Sequence, residues 1–252
     1  MSTGIADLVG RVLGPGLPVV VRAYDGSVSS PPDPVATLVV RSPDAIRRVV
    51  TSPGDLGLGR AYVAGDLDVE GDLLGVLTAL RESVPKVDVR ALADLALSIG
   101  PGVLRPPAPP HEEARLRGRL HSKERDVAAI THHYDVSNGF YGLVLGPSMT
   151  YSCAVWANPD LGLEARHAEN LREHYALTLR AWVANLEERW EAAVAEVGEG
   201  RARVWRLYMS ACAVAFDAGA IQIQKVLATK NDRGASRMPL RPSIASAPAP
   251  AS

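Results

Sequence analysis

This sequence contains few cysteines, and its net charge is close to zero. Of its 252 residues only Cys153 and Cys212 are cysteines, and they lie far apart in the chain. Two distant cysteines provide no disulfide framework, which is typical of a protein in a reducing compartment. The formal net charge is −1 at pH 7. This balance argues against general nucleic-acid binding, because that function needs a basic surface that neutralises phosphates.

Long apolar runs are also missing. No stretch approaches the ~18 apolar residues that a membrane-spanning helix needs. The first residues lack the basic region, the apolar run and the small-residue cleavage site of a secretory signal. We therefore expect a cytoplasmic chain that touches a membrane only from its surface, at the inner face.

Aromatic residues are few, yet they are concentrated in residues 131–156. The chain has two Phe and seven Tyr, and this stretch holds Phe140, Tyr134, Tyr141 and Tyr151 beside two adjacent histidines. The pattern fits a pocket whose aromatic faces hold an apolar or cationic ligand. It fits equally an aromatic plug that seals a domain joint. The spacing of the histidines does not indicate a metal site, and none is predicted.

The order of residues in this stretch is specific. Residues 132–156 read H-H-Y-D-V-S-N-G-F-Y-G-L-V-L-G-P-S-M-T-Y-S-C-A-V-W. The stretch resembles the opening of the catalytic domain of the cyclopropane-fatty-acyl-phospholipid synthase family, which includes the mycolic acid cyclopropane synthases. The resemblance implies transfer of a methyl group from S-adenosylmethionine to a cis double bond of a phospholipid acyl chain. Loss of a proton to a bound bicarbonate then closes a cyclopropane ring, whereas related members of the family leave a methyl or methylene branch.

The same resemblance implies roles for individual residues. Tyr134 matches the aromatic residue near the cofactor's sulfonium, where a π-face favours the positive charge. Tyr151 and Ser152 match the pair that contacts S-adenosylmethionine. Cys153 and Tyr175 match residues that hold the bicarbonate, the first through its backbone and the second through its hydroxyl.

The cofactor-binding core that should follow is not found in the sequence. In the family a strand leads into a glycine loop, D-x-G-x-G-x-G, whose tight turn lets the cofactor lie against backbone. Here Trp156 is followed by A-N-P-D-L-G-L-E, and from Leu163 onward the sequence resembles the family's C-terminal end. We therefore predict that most of this core is missing, with a join near residues 157–163.

Residues 1–100 are predicted to form a small α+β unit. Strands are expected at 18–24 and 36–41, a helix from Ser42-Pro43-Asp44, a short helix and turn at 58–70, and helices at 72–81 and 89–99. Residues 56–73 resemble the N-terminal domain of longer bacterial members of the family. That resemblance implies a sterol-carrier-like fold that engages lipid and associates subunits.

The rest of the chain is predicted as a proline-rich linker at 101–126, a catalytic remnant at 127–229 and a disordered tail at 230–252. The remnant should be a mainly helical piece of a Rossmann-like methyltransferase domain. Two apolar helical stripes are expected. The first consists of Leu171, Tyr175, Leu179, Trp182, Leu186 and Trp190, and the second of Val204, Tyr208, Ala211 and Ala215 with Leu207 and Phe216. Residues 221–224 alternate as a strand does, and with the core missing we expect that strand to lack partners.

Two functional interpretations follow. The chain is by ancestry an S-adenosylmethionine-dependent lipid methyltransferase, expected to be inactive alone because half a pocket cannot supply the preorganised electrostatics that catalysis needs. Alternatively it is a non-catalytic remnant or a module that binds lipid or a partner. Its partners are predicted to be unsaturated phospholipid acyl chains and, through apolar surface left without a core, a second copy of itself.

Overall fold

The computed structural model describes residues 4–14, 16–82, 89–114, 136–146, 163–230, 232–233 and 235–238. The predictions for Tyr134, Tyr151, Ser152 and Cys153 lie outside these residues, as do residues 157–162 of the predicted join and most of the predicted tail. None of the helices in the described part of the chain is both long and apolar enough to cross a membrane.

A four-stranded sheet forms the centre of the N-terminal unit. Its strands are β1 (Val19–Ala23), β2 (Val28–Ser29), β3 (Ala36–Val40) and β4 (Leu67–Gly71), in the order β2-β1-β3-β4. Strands β1 and β3 are parallel, and the other two pairs are antiparallel. The buried positions of β1 alternate along the strand, so one face of this sheet packs on the core.

Five helices and a short 3₁₀ turn pack around this sheet: α1 (Ile5–Leu13), α2 (Pro43–Thr51), α3 (Asp55–Val63), α4 (Leu73–Glu82), α5 (Val89–Ile99) and the turn Pro101–Leu104. The start of α2 is as predicted, with Ser42 Oγ accepting a hydrogen bond from the backbone N–H of Asp44 at 3.2 Å. The core joins residues of the sheet to residues of the helices, among them Leu8, Val21, Leu38, Ile46 and Tyr62.

Helices form the larger part of the C-terminal half: α6 (Asn138–Leu145), α7 (Arg172–Glu188), α8 (Trp190–Val197) and α9 (Glu199–Asp217). A two-stranded antiparallel ribbon, β5 (Leu163–Asn170) and β6 (Gln224–Lys230), accompanies them. The predicted α+β class is therefore confirmed at the level of element content. The sterol-carrier-like and Rossmann-like assignments stay predictions.

Three local predictions were wrong. Residues 58–70 contain the edge strand β4 after the predicted helix, rather than a turn alone. The strand expected at 221–224 begins only at Gln224, and it does have a partner, β5. The predicted stripe of α9 was wrong at Ala211, which is exposed, and right at Phe216, which is buried. The other fully buried apolar residues of that face were not in the predicted stripe: Ala202, Trp205, Met209 and Ala213. The periodicity correctly indicated a helix, but apolar side chains on both of its faces hid which face packs inward.

The first part of the predicted linker lies against the N-terminal unit. Arg48, which is buried, donates from Nη1 to the backbone carbonyl of Ala108 at 2.8 Å. Arg60 forms two hydrogen bonds to the carboxylate of Glu113, from Nε at 2.7 Å and from Nη2 at 2.5 Å. Such a bidentate pair is stronger and more directional than a single contact. Residues 108–113 are therefore fastened to α2 and α3.

This fastening predicts the protease sensitivity of residues 108–113. The Arg60→Gln variant should be cut after Glu113 by a Glu-specific protease several-fold faster than the parent, because the bidentate pair holds that peptide against α3. Arg22→Gln, which removes the exposed ion pair to Glu70, is the matched control and should leave the rate unchanged. Equal cleavage rates in all three proteins would show that the pair does not restrain the segment.

Candidate functional site

The described part of the family-like motif is helix α6, and side chains from other helices hold both of its ends. Ser137 Oγ accepts from the N–H of Phe140 at 3.0 Å and donates to the carboxylate of Glu196 in α8. A Cβ on Gly139 would lie only 2.9 Å from Oε1 of Glu196, so glycine allows this carboxylate to reach the helix N-terminus, where negative charge is favourable.

The C-terminal end of α6 is held in the same way. Asn185 donates from Nδ2 to the carbonyl of Val144 at 3.0 Å, and Arg189 donates from Nη1 to the carbonyl of Leu143 at 3.3 Å. These donors satisfy carbonyls that a helix end otherwise leaves without partners. Phe140, which is fully buried, fixes the helix against Trp205 at a ring separation of 5.7 Å.

Tyr175 is the one predicted site residue in the described part of the chain. Its ring is half-buried on α7 and meets the edges of Phe216 and Trp182 at 5.0 and 6.0 Å between centroids. Arg172 Nη1 donates to the carbonyls of Phe216 and Asp217, both at 2.9 Å, and so fixes the end of α9 beside this ring. Trp182 is buried, as expected for a core residue.

A second polar arrangement, not predicted from the sequence, lies where α9 meets the N-terminal unit. Arg203 of α9 is 7% exposed. Its Nη1 and Nη2 donate to the two carboxylate oxygens of Asp68 in β4 at 3.2 and 3.0 Å. Nη1 also donates to the backbone carbonyl of Tyr62, and Nε to Glu199. The guanidinium lies over the Tyr62 ring, 5.1 Å from its centroid. We refer to Tyr62, Asp68, Arg203 and Arg206 as the seam.

Arg206 extends the seam by one helical turn. It donates to Glu187 Oε1 at 2.8 Å and to the Tyr62 hydroxyl at 3.0 Å, and its guanidinium lies 6.0 Å from the centre of the Trp190 ring. Burial raises the pKa of Tyr62, and the neighbouring Arg206 and Arg203 offset only part of that effect. The phenol is therefore neutral near pH 7 and accepts this hydrogen bond without adding charge.

The Asp68 carboxylate is stabilised in its charged form. Burial alone would raise its pKa, but hydrogen bonds from Arg203 and Arg41 outweigh that effect, and the pKa lies below its ordinary value. Arg41 Nη2 donates to Asp68 Oδ2 at 2.7 Å. One carboxylate therefore pairs with two guanidinium groups from opposite halves of the chain.

The seam borders two polar clefts of about 350 and 320 Å³ in the described part of the chain. Arg203 lines both, and neither includes Tyr175. Among the described residues no group of His, Cys, Asp and Glu is arranged as metal ligands are. The described residues thus bring the seam together, and these two clefts lie away from Tyr175.

A sequence signal for the seam did exist. Arg203 and Arg206 lie three residues apart in α9, next to the buried Ala202 and Trp205. An arginine that is buried beside an apolar stripe is almost always paired. The partner Asp68 could not be recognised from the sequence, because residues 58–70 were not predicted as a strand.

The comparisons with known proteins agree on one family. The family model described as mycolic acid cyclopropane synthetase matches residues 121–168 and 160–226. A probable fatty acid methyltransferase of Mycobacterium tuberculosis is 30% identical over 403 aligned positions, which include 89% of this chain and 94% of that protein. A tuberculostearic acid methyltransferase of the same organism is 34% identical over 158 residues, 62% of this chain and 34% of that protein.

A cyclopropane-fatty-acyl-phospholipid synthase of Escherichia coli is 29% identical over 137 residues, 54% of this chain and 32% of that protein. The chain therefore matches about a third of the length of these last two relatives. The alignment to the first relative has 403 positions, whereas this chain has 252 residues. That relative thus carries many residues that have no counterpart here.

The seam predicts how stability depends on pH. Because the pKa of Asp68 is lowered on folding, its contribution is fully present above the unfolded value of about 3.9 and is lost as pH falls through the lower folded value. The free energy of urea unfolding should fall between pH 5 and pH 3. In Asp68→Asn this dependence should be shallower, and the variant should lose ~3 kcal/mol at pH 7, because Arg203 is left buried without its partner.

A double variant separates pairing from burial. Asp68→Leu with Arg203→Leu should cost less than the two single losses combined, because it leaves no unpaired charge in the seam. Additive losses in the unfolding free energy would contradict the assigned pair.

Proposed function

Because this chain belongs to the mycolic acid cyclopropane synthetase family of S-adenosylmethionine-dependent lipid methyltransferases, we propose that it is a shortened, catalytically incomplete member. In this proposal it keeps the segments that flank the cofactor-binding core and does not transfer methyl groups alone. The observation that carries the proposal is the alignment of 403 positions to a chain of 252 residues, together with the missing D-x-G-x-G-x-G loop.

The geometry around Tyr175 supports this proposal. Its ring is packed against the edges of two aromatic residues, and the two clefts in the described part of the chain lie elsewhere. A methyltransferase of this kind must surround a sulfonium and a developing carbocation with fixed dipoles and aromatic faces. Tyr134, Tyr151, Ser152, Cys153 and Tyr175 remain the proposed contributions of this chain to such a site, which would contact S-adenosylmethionine and bicarbonate only with the rest of the core present.

Isothermal titration tests cofactor binding. The purified chain should bind S-adenosylmethionine weakly or not at all, and it should transfer no labelled methyl group to vesicles of cis-unsaturated phospholipid. The probable fatty acid methyltransferase of Mycobacterium tuberculosis serves as the positive control in the same assay. One-to-one binding at low micromolar concentration would overturn the proposal.

We further propose that the N-terminal unit keeps a contact with phospholipid at the inner membrane face. Leu97 in α5 and Leu104 in the 3₁₀ turn expose 78% and 75% of their surface, and both lie in the unit that the family resemblance connects with lipid. Exposed leucines of this size insert favourably at a headgroup boundary.

Vesicle sedimentation tests this contact. Leu97→Ser with Leu104→Ser should lower binding to phosphatidylglycerol vesicles about tenfold, because each leucine forgoes apolar burial. Leu177→Ser is the matched control, since Leu177 is 67% exposed but lies on α7. An equal loss of vesicle binding in the Leu177→Ser control would show that the lipid contact does not depend on Leu97 and Leu104 in particular. Unchanged binding in both variants would contradict the proposed contact.

A further inference from the structure

The β5–β6 ribbon is the least buried element of the described structure. In that part of the chain the two strands pair only with each other. Every residue of the ribbon whose side chain is described is exposed or half-buried, including Val226, Leu227 and Ala228 at the centre of β6. An isolated two-stranded ribbon is marginally stable in water, and a third strand or a covering layer is needed for independent stability.

Each strand of the ribbon therefore offers one outer edge, within the described residues, where another strand can pair. The charges on the two strands differ. Strand β5 carries Glu164 and Glu169 near its ends, and β6 carries Lys225 and Lys230 near its ends. Neither Glu169 nor Lys225 forms an ion pair within the described structure. They lie directly opposite each other as a cross-strand pair of the internal ribbon, and each can in addition face a charge on a second chain.

These charges select one way of pairing two copies. If β6 of one copy lies antiparallel to β5 of another in the register of the internal ribbon, Lys225 lies opposite Glu169. Opposite charges directly across an antiparallel pair are stabilising. Two β5 strands paired over their full length would instead place Glu164 opposite Glu169. Two paired β6 strands would bring lysines together without any acidic residue to neutralise their charge.

We propose that this chain associates with a second copy of itself through the edge of β6, which pairs antiparallel with β5 of the neighbour in the register that joins Lys225 to Glu169. The contact is head-to-tail, since each copy presents β6 on one side and β5 on the other. Such a contact closes into a ring or continues to further copies. The proposal identifies a surface for the self-association expected from the sequence, and it does not depend on cofactor binding.

Charge reversal in separate chains gives a direct test. Lys225→Glu and Glu169→Lys each place like charges across both the internal ribbon and the contact between identical copies. When the two variants are mixed, every contact between unlike chains is again complementary, although each internal ribbon still has like charges. Recovery on mixing therefore reports pairing between chains and not repair of the ribbon.

Sedimentation velocity at micromolar concentration provides the measurement. The parent chain should form dimers or larger species, each variant alone should associate about tenfold more weakly, and the mixture should return to the parent affinity. Glu191→Lys changes an exposed carboxylate of α8 by the same charge and should associate as the parent does.

A chain that carries both Glu169→Lys and Lys225→Glu is the control for misfolding of the single variants. It restores both the internal pair and the contact between copies, so it should regain the parent's association. A monomeric parent chain, single variants that associate as the parent does, or a mixture and a double variant that both stay dissociated would each overturn the proposal. The first result would point to a separate chain that supplies the missing core.

Discussion

The ion pair between Arg203 and Asp68 joins the two halves of this molecule. Both side chains are largely buried, and the guanidinium also bonds the backbone carbonyl of Tyr62. A buried charge is costly unless it is paired and hydrogen-bonded, so each of these two groups can stay buried at this boundary only while the other remains beside it. Leu207, from the same helix, packs against the N-terminal core, and Leu74 packs against the C-terminal core. Polar and apolar contacts thus both join the N-terminal unit to the C-terminal half.

The predicted division into domains stays a prediction, and the described contacts can be compared with its boundaries. A linker, a lipid-engaging unit and a catalytic remnant are reasonable segments from composition, but the described contacts cross between them. Arg48 and Arg60 fasten residues 108–113 to the N-terminal unit, and Arg203 and Arg206 fasten α9 to it. Hydrogen bonds therefore connect the N-terminal unit both to residues 108–113 and to α9.

The sequence was most informative where local rules dominate. The cap at Ser42, the helix break at Gly198 and the stripe of α7 depend on residues close together in the chain, and all three are found. Prediction failed where a distant partner decides the outcome. Residues 67–71 form a strand because they pair with the edge of β3. Strand β6 pairs with β5, from which more than fifty residues separate it in the chain. Of the candidate site, only Tyr175 lies in the described part of the chain, and its aromatic neighbours come from α7 and α9.

Packing tolerates the loss of a segment more easily than catalysis does, for a physical reason. Burial requires only that apolar surfaces contact one another. Four large side chains do so in the C-terminal core: Phe140, Trp182, Trp205 and Met209. Methyl transfer needs particular dipoles and aromatic faces at fixed positions around one reacting centre, and interactions that come from a missing segment have no local substitute. The packed helices around Tyr175 are therefore evidence for a retained fold, and they carry no implication that the chemistry was retained with it.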